Sequence, residues 1–345
     1  MSEADPAIPA PQSSILFDVE FNSGAFYPAA GTVELAEVAE ERGFGAVWKG
    51  ESNSTDPIVL LSAMAARTRT IRLGTAIYHV FGRSPVTMGI QAATLNDLSG
   101  GRLMLGLGVA NRTIAGWHGG TFQRPLRLIR EYVEITRAVA RGERVEYQGE
   151  IYKPGAFKLS WRPSHPDLNI YFAGLGQQMT HLAGRVAEGI VVNMANPAMV
   201  RTIVGNVREG AAQAGRDPSR VEMIVKVRVC VNPDRERAVA RLKQVLTFYN
   251  LADHYRDMIA NMGFAEESAR IREAYTSGGF KAAQACVTDA MVDGLPTVAA
   301  RSADEVRERV QPYIEAGATR ILIPYVPIGE DAVGETRAFL QAWRA

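Results

Sequence analysis

Cysteine, long apolar runs and net charge are all scarce in this sequence, and each shortage excludes something. Two cysteines, Cys230 and Cys286, are too few for a disulfide framework or a zinc site, so a reducing, cytoplasmic setting is the expectation. No run of eighteen apolar residues occurs, which argues against a spanning helix. Residues 1–14 are acidic and proline-rich without an apolar segment, and they read as a disordered tail rather than a secretory signal. Lys and Arg number 38 against 37 Asp and Glu, a net +1 that offers no field for nucleic acid or an anionic membrane. The arginines between Arg124 and Arg144 alternate with Leu126, Ile129 and Val133 at helical spacing and fit a solvated helix face. No Gly-x-Ser-x-Gly elbow and no metal-ligand spacing is found, so neither nucleophilic catalysis nor a bound metal is expected.

What the chain does have is a strict alternation of short apolar runs and helical segments. The stretch Ser99 to Asn111 is the clearest. A Ser-Gly-Gly turn releases the run Leu103 to Leu107, which opens through Gly106 and Gly108 into Asn111. Such a run suits a strand buried on both faces. Its glycines admit either close packing in a crowded barrel or the approach of a flat ligand. Seven further runs read as strands: 15–21, 46–48, 71–76, 169–173, 189–192, 221–231 and 320–323. Asp56-Pro57 and Asn196-Pro197 open helices with an N-cap followed by proline, and Ser302 to Glu305 fits a capping box.

Eight strand and helix units imply an α/β fold, a (β/α)8 TIM barrel in one domain spanning 15–345. The extra length falls after strands 4 and 7. Segment 142–166 suggests a hairpin or excursion, and a helical insertion is expected at about 246–300. A doubly wound open sheet ranks second, because no Gly-x-Gly-x-x-Gly follows strand 1.

In such a barrel the strand exits converge on the reactive face. They offer Glu20, Glu51 with Ser52, residues 76–79 ending in His79, Gly108 to Asn111, Gly174 to Gln178, and Asn193. Ala173-Gly-Leu-Gly-Gln177 opens a helix, where bare backbone N–H groups suit a phosphate. Tyr249, Tyr255, Met258 and Met262 line a pocket or fill a core; their spacing fits both.

The chain resembles the luciferase-like flavin oxidoreductases, and within them the methylenetetrahydromethanopterin reductase branch that uses the deazaflavin coenzyme F420. The matching pieces are Arg67-Thr-Arg-Thr-Ile-Arg-Leu-Gly74, Ser99-Gly-Gly-Arg-Leu-Met-Leu-Gly-Leu-Gly108 and Arg124-Pro-Leu-Arg-Leu-Ile-Arg-Glu131. Tyr147-Gln-Gly-Glu-Ile-Tyr152, Ile170-Tyr-Phe-Ala-Gly174 and Ala316-Gly-Ala-Thr-Arg-Ile321 continue the likeness. The resemblance implies a hydride-transferring oxidoreductase whose coenzyme ring lies over the strand 3 exit, where a non-prolyl cis peptide would fall at Ala76-Ile77. It implies a tail phosphate on Gly174, Leu175, Gly176, Gln177 and Gln178, with Asn111 beside the ring. It also implies a small-molecule substrate, pterin or folate-like among the options, and a homodimer or higher homo-oligomer.

One departure bears on mechanism. The family's acid at the end of strand 2 matches Glu51, but its histidine is replaced by Ser52, a far weaker acid or base. Glu20 matches an acidic position of the reductase branch, and a carboxylate buried against an apolar ring is a fitting proton donor. Glu51 is the second candidate acid and His79 the third. Reduced FMN as the cofactor of a monooxygenase, or a flavin-binding protein without turnover, are the alternative readings.

Overall fold

The computed structural model describes residues 15–21 and 27–344; the tail expected over 1–14 lies outside them. Eight parallel strands close on themselves: β1 (Leu16–Glu20), β2 (Ala46–Lys49), β3 (Arg72–Thr75, resumed at Tyr78–His79), β4 (Leu103–Gly108), β5 (Asn169–Ala173), β6 (Gly189–Val192), β7 (Glu222–Lys226) and β8 (Arg320–Pro324). Each pairs with its successor, and β8 returns to β1 with Leu16 opposite Arg320 and Glu20 opposite Pro324. This is the expected (β/α)8 barrel.

The helices begin where the sequence signals them. Asp56, Ser84 and Asn196 each accept a hydrogen bond from the amide three residues on, and a proline follows each at the first helical position. Those caps start the helices Pro57–Arg67, Pro85–Leu98 and Pro197–Gln213. Gly43 and Gly317 end helical segments at φ 76° and 105°, a region costly for any residue with a Cβ.

Strand alternation divides the buried side chains into two sets. Val19, Val47, Leu73, Leu103, Leu105, Ile170, Phe172, Ile190 and Ile323 pack outward against the helices. Ala46, Trp48, Ala76, Met104, Tyr171, Val191, Ile224 and Leu322 fill the barrel interior. Below this apolar layer lies a polar floor. Arg320 forms a two-pronged bond to Asp18 at 2.8 Å on both sides, and Trp48 Nε1 donates to the same carboxylate at 2.9 Å. Tyr171 donates to Glu222 at 2.6 Å. Buried charge is tolerated there because each partner's bonds are made.

Three details differ from the sequence reading. The run 221–231 is two strands broken at Val227: β7, then Arg228–Val231, which leaves the barrel and pairs in parallel with Thr297–Ala300. Strand Thr297–Ala300 carries no sequence signal, being a four-residue segment between helices. A helix Arg112–Trp117, also unforeseen, follows β4. The segment 142–166 closes through an antiparallel bridge between Val145 and Phe157.

Between Val231 and Thr297 the chain is helical and owns a separate core, including Leu242, Leu246, Ile259, Ile271 and Met291. Met258 belongs to that core and Met262 packs against it. Among the described residues no helix is long and apolar enough to cross a membrane.

Candidate active site at the barrel mouth

Glu20 ends β1 and is buried, yet it does not face an apolar wall. Lys226, at the end of β7, donates to one of its oxygens at 3.0 Å, stands 2.9 Å from the other, and donates to the Ala76 carbonyl at 2.9 Å. Lys49 ends β2 beside them, with its Nζ donating to the Phe21 carbonyl at 3.0 Å. Burial lowers the Lys49 ammonium from its ordinary value, while Glu20 pulls it back up.

The Ala76–Ile77 peptide is cis, in the gap between the two parts of β3. Its surroundings fasten it on both sides: the Ala76 amide donates to the Lys49 carbonyl at 3.0 Å, and the Glu51 amide donates to the Ile77 carbonyl at 2.9 Å. A Cβ on Gly106 would stand 1.9 Å from the Thr75 carbonyl oxygen, and one on Gly108 would stand 2.5 Å from Ile77 Cδ1. Close packing against this loop therefore accounts for both glycines, and the space beside Gly108 is taken by Ile77.

Glu51 acts as a clamp. It accepts from the His79 backbone amide at 3.1 Å and from Arg83 Nη1 at 2.7 Å. Arg83 also stacks over the Tyr78 ring at 4.2 Å. His79 is 1% exposed, and its Nε2 stands 3.1 Å from a Glu51 oxygen. Neither ring nitrogen makes a hydrogen bond of acceptable geometry. Burial, with His118 and Arg83 adding to it, lowers the His79 imidazole to about 4. A ring held neutral in this way has no proton to release at pH 7, which argues against the donor role expected of it. Ser52 is exposed beside this cluster.

Asn111 is committed elsewhere. Its Oδ1 accepts from the Ile114 amide at 3.0 Å and caps helix Arg112–Trp117. Asn193 bridges two elements, accepting from Arg228 Nη2 at 2.9 Å and donating to the Tyr255 hydroxyl at 3.1 Å. Arg228 also donates to the Tyr249 hydroxyl and lies over that ring at 4.3 Å. Tyr249 and Tyr255 thus bring the helical segment down onto the exits of β6 and β7.

Helix Gln177–Val186 starts at the exit of β5 with no side chain capping it. The Met179 and Thr180 amides bond back to Gly176, while those of Gln177 and Gln178 find no protein acceptor among the described residues. A Cβ at Gly176 would meet nothing within 4 Å, whereas one at Gly174 would meet Met179 Cγ at 2.3 Å. Gly174 is a packing glycine; Gly176 borders open space. Leu175 packs against both cores. Two free amides at a helix start, in a bare approach, fit an anionic group such as a phosphate.

Lys49, Arg83, Lys226 and Arg228 were not singled out from the sequence. The available signal was Lys226 and Arg228, two residues apart and so on one face of an otherwise apolar strand. A cavity of about 580 Å³ lies at the opposite end, lined by Arg72, Tyr171, Glu188 and Glu222 among others. There Arg72 pairs with Glu222 and Arg216 with Glu188, and Glu222 also meets Arg320 of the floor network. Among the described residues no group of three acidic, histidine or cysteine side chains is arranged to hold a metal.

Three comparisons place the chain among known proteins. A 5,10-methylenetetrahydromethanopterin reductase of Archaeoglobus fulgidus is 30% identical over 306 residues, covering 86% of this chain and 89% of the relative. A putative coenzyme F420-dependent oxidoreductase of Mycobacterium tuberculosis is 28% identical, covering 86% of this chain and 91% of its own length. The solved structure of the coenzyme F420-dependent tetrahydromethanopterin reductase from Methanopyrus kandleri matches with a TM-score of 0.84 and 25% identity, over 96% of this chain and 98% of that one. The luciferase-like monooxygenase family model spans residues 13–320. The chain belongs to the luciferase-like monooxygenase family and is an oxidoreductase of that family.

Proposed function

We propose that this protein is a coenzyme F420-dependent oxidoreductase that moves a hydride between that coenzyme and an organic substrate, with pterin or folate-like carriers the first class to test. The observation that carries the reading is the 30% identity to a methylenetetrahydromethanopterin reductase across 86% of the chain. The residues present fit such a coenzyme: the bare Gly176 approach and the free Gln177 and Gln178 amides suit an anionic tail. When bound, the deazaflavin supplies the two-electron hydride chemistry.

The chain's own residues do the rest. The loop at Ala76–Ile77, fastened by Lys49, Glu51 and Lys226, offers a fixed platform at the β3 exit. Trp48 and Tyr171, edge to face at 5.9 Å, seal the barrel from below and keep water out. The Glu20–Lys226 pair holds a proton on Lys226 Nζ, hydrogen-bonded to Glu20, and passes it to the substrate through that carboxylate. Glu51 and His79 shape the platform and do not carry the proton.

Titration with F420 and, separately, with FMN tests the assignment. F420 fluorescence is expected to be quenched with saturation, and reduced F420 to be oxidised by a pterin acceptor. Tight FMN binding with no response to F420 overturns the reading in favour of a flavin enzyme.

A further inference from the structure

We propose that the Arg228 guanidinium is the receptor for a carboxylate group on the substrate, an inference that rests on the barrel mouth being the reaction site. Arg228 is 4% exposed, and every partner it has is neutral: Asn193 Oδ1 at 2.9 Å, the Tyr249 hydroxyl and ring, and Met194 Sδ at 3.8 Å. Among the described residues no carboxylate lies within ion-pair distance of it. The other buried cations of β7 and β8 are matched, Lys226 at the mouth by Glu20 and Arg320 in the floor by Asp18.

A buried cation without a counter-ion is costly, and cation–π contact and neutral acceptors offset that cost only in part. The donors are unevenly used. Nη2 serves both Asn193 and Tyr249, while Nη1 meets only a sulfur, a weak acceptor. Nη1 is thus left without an oxygen acceptor, and a carboxylate oxygen would supply both that acceptor and the missing counter-charge in one charge-assisted bond. The occupant is assigned to the substrate because an anionic coenzyme tail already has free amides at Gln177 and Gln178, at a different strand exit. Tyr249 and Tyr255 come from the helical segment between Val231 and Thr297, so that segment would set which carboxylates fit.

The full-length protein tests this with two small anions and their neutral counterparts: benzoate and glutarate against benzamide and glutaramide. Binding is read by calorimetry and thermal shift, and F420 affinity by fluorescence quenching in parallel. At least one carboxylate is expected to bind tenfold or more tightly than its amide, and Arg228→Met to abolish that preference while changing F420 affinity less than threefold. Equal binding of acid and amide, or an acid preference that survives Arg228→Met, overturns the proposal. So does a loss of F420 affinity alone, which would assign the guanidinium to the coenzyme. Absence of F420 binding to the unaltered protein instead defeats the functional reading, and the carboxylate measurement is read independently of it. If Arg228→Met fails to fold, Arg228→Gln removes the charge while keeping a polar side chain; undiminished acid preference in that variant also overturns the proposal.

Discussion

Lys226 Nζ lies 2.9 Å from the Glu20 carboxylate, tying the exit of β7 to the exit of β1 across the barrel mouth. The same nitrogen reaches the Ala76 carbonyl at the cis peptide. One side chain therefore couples the candidate proton carrier to the platform beside it.

Replacing Glu20 with Gln preserves shape and removes the charge. Lys226 retains its bond to Ala76, so the platform is expected to hold. Turnover should fall about 100-fold, the usual worth of a positioned acid, with F420 affinity within threefold of the original. Steady-state rates and coenzyme titration separate the two effects. Lost affinity with preserved turnover would remove Glu20 from the proton path.

At Gly176 two consequences of one substitution have opposite signs. Its φ of −69° suits any residue, and a side chain there meets open space. Gly176→Asp supplies a cap for the free helix amides, worth about 0.5–1 kcal/mol of stability. The same carboxylate competes with an anionic coenzyme tail, so F420 affinity should drop tenfold or more. Greater stability with unaltered affinity would show that the tail anchors elsewhere.

His79 makes acid stability predictable in sign. Its imidazole, held at about 4 by burial and by the facing His118 and Arg83, with Glu51 opposite, protonates later than in the unfolded chain. Above the unfolded value of about 6.5 the ring is neutral in both states and contributes no slope. Between there and about 4 the unfolded chain binds a proton that the folded one refuses, so stability falls with pH, by at most about 3 kcal/mol. Urea unfolding at pH 7 and pH 4.5 should show a smaller loss for His79→Gln. Identical losses in the two proteins would contradict this account.

Arg102 is a staple. It donates to the Ser99, Ile71, Ala65 and Thr68 carbonyls and the Thr68 hydroxyl, all at 2.7–3.0 Å. Lysine cannot reproduce that fork, so Arg102→Lys should cost about 2–4 kcal/mol by leaving several carbonyls unpaired. A loss below about 0.5 kcal/mol in chemical denaturation would mean the staple is dispensable.

Several motifs that carry the family resemblance prove to be scaffold. Arg102 of the Ser-Gly-Gly-Arg stretch binds the Arg67–Ile71 stretch. Glu131, ending the Arg124 motif, accepts from the amides of Glu150, Ile151 and Tyr152 at 3.0 Å, joining it to the Tyr147 motif. Burial pulls that carboxyl upward, but the three amides outweigh it and hold it below its ordinary value. Arg320, in the Ala316 motif, grips Asp18.

Sequence alone determined the eight barrel strands and the helices between them, though not the strand Thr297–Ala300 or the helix Arg112–Trp117, because apolar periodicity, Asx and Ser caps and N1 prolines are local signals that survive without a fold. It also determined the family, through motifs whose side chains must bridge neighbouring loops. Which charges meet was decided only by closing the barrel. Glu20 and Lys226 are 206 positions apart in sequence, and Arg228 acquires Asn193, Tyr249 and an unmatched charge only when two strand exits and a helical segment converge. Electrostatic partnership depends on distance through space and on exclusion of water, and neither is written in the order of residues.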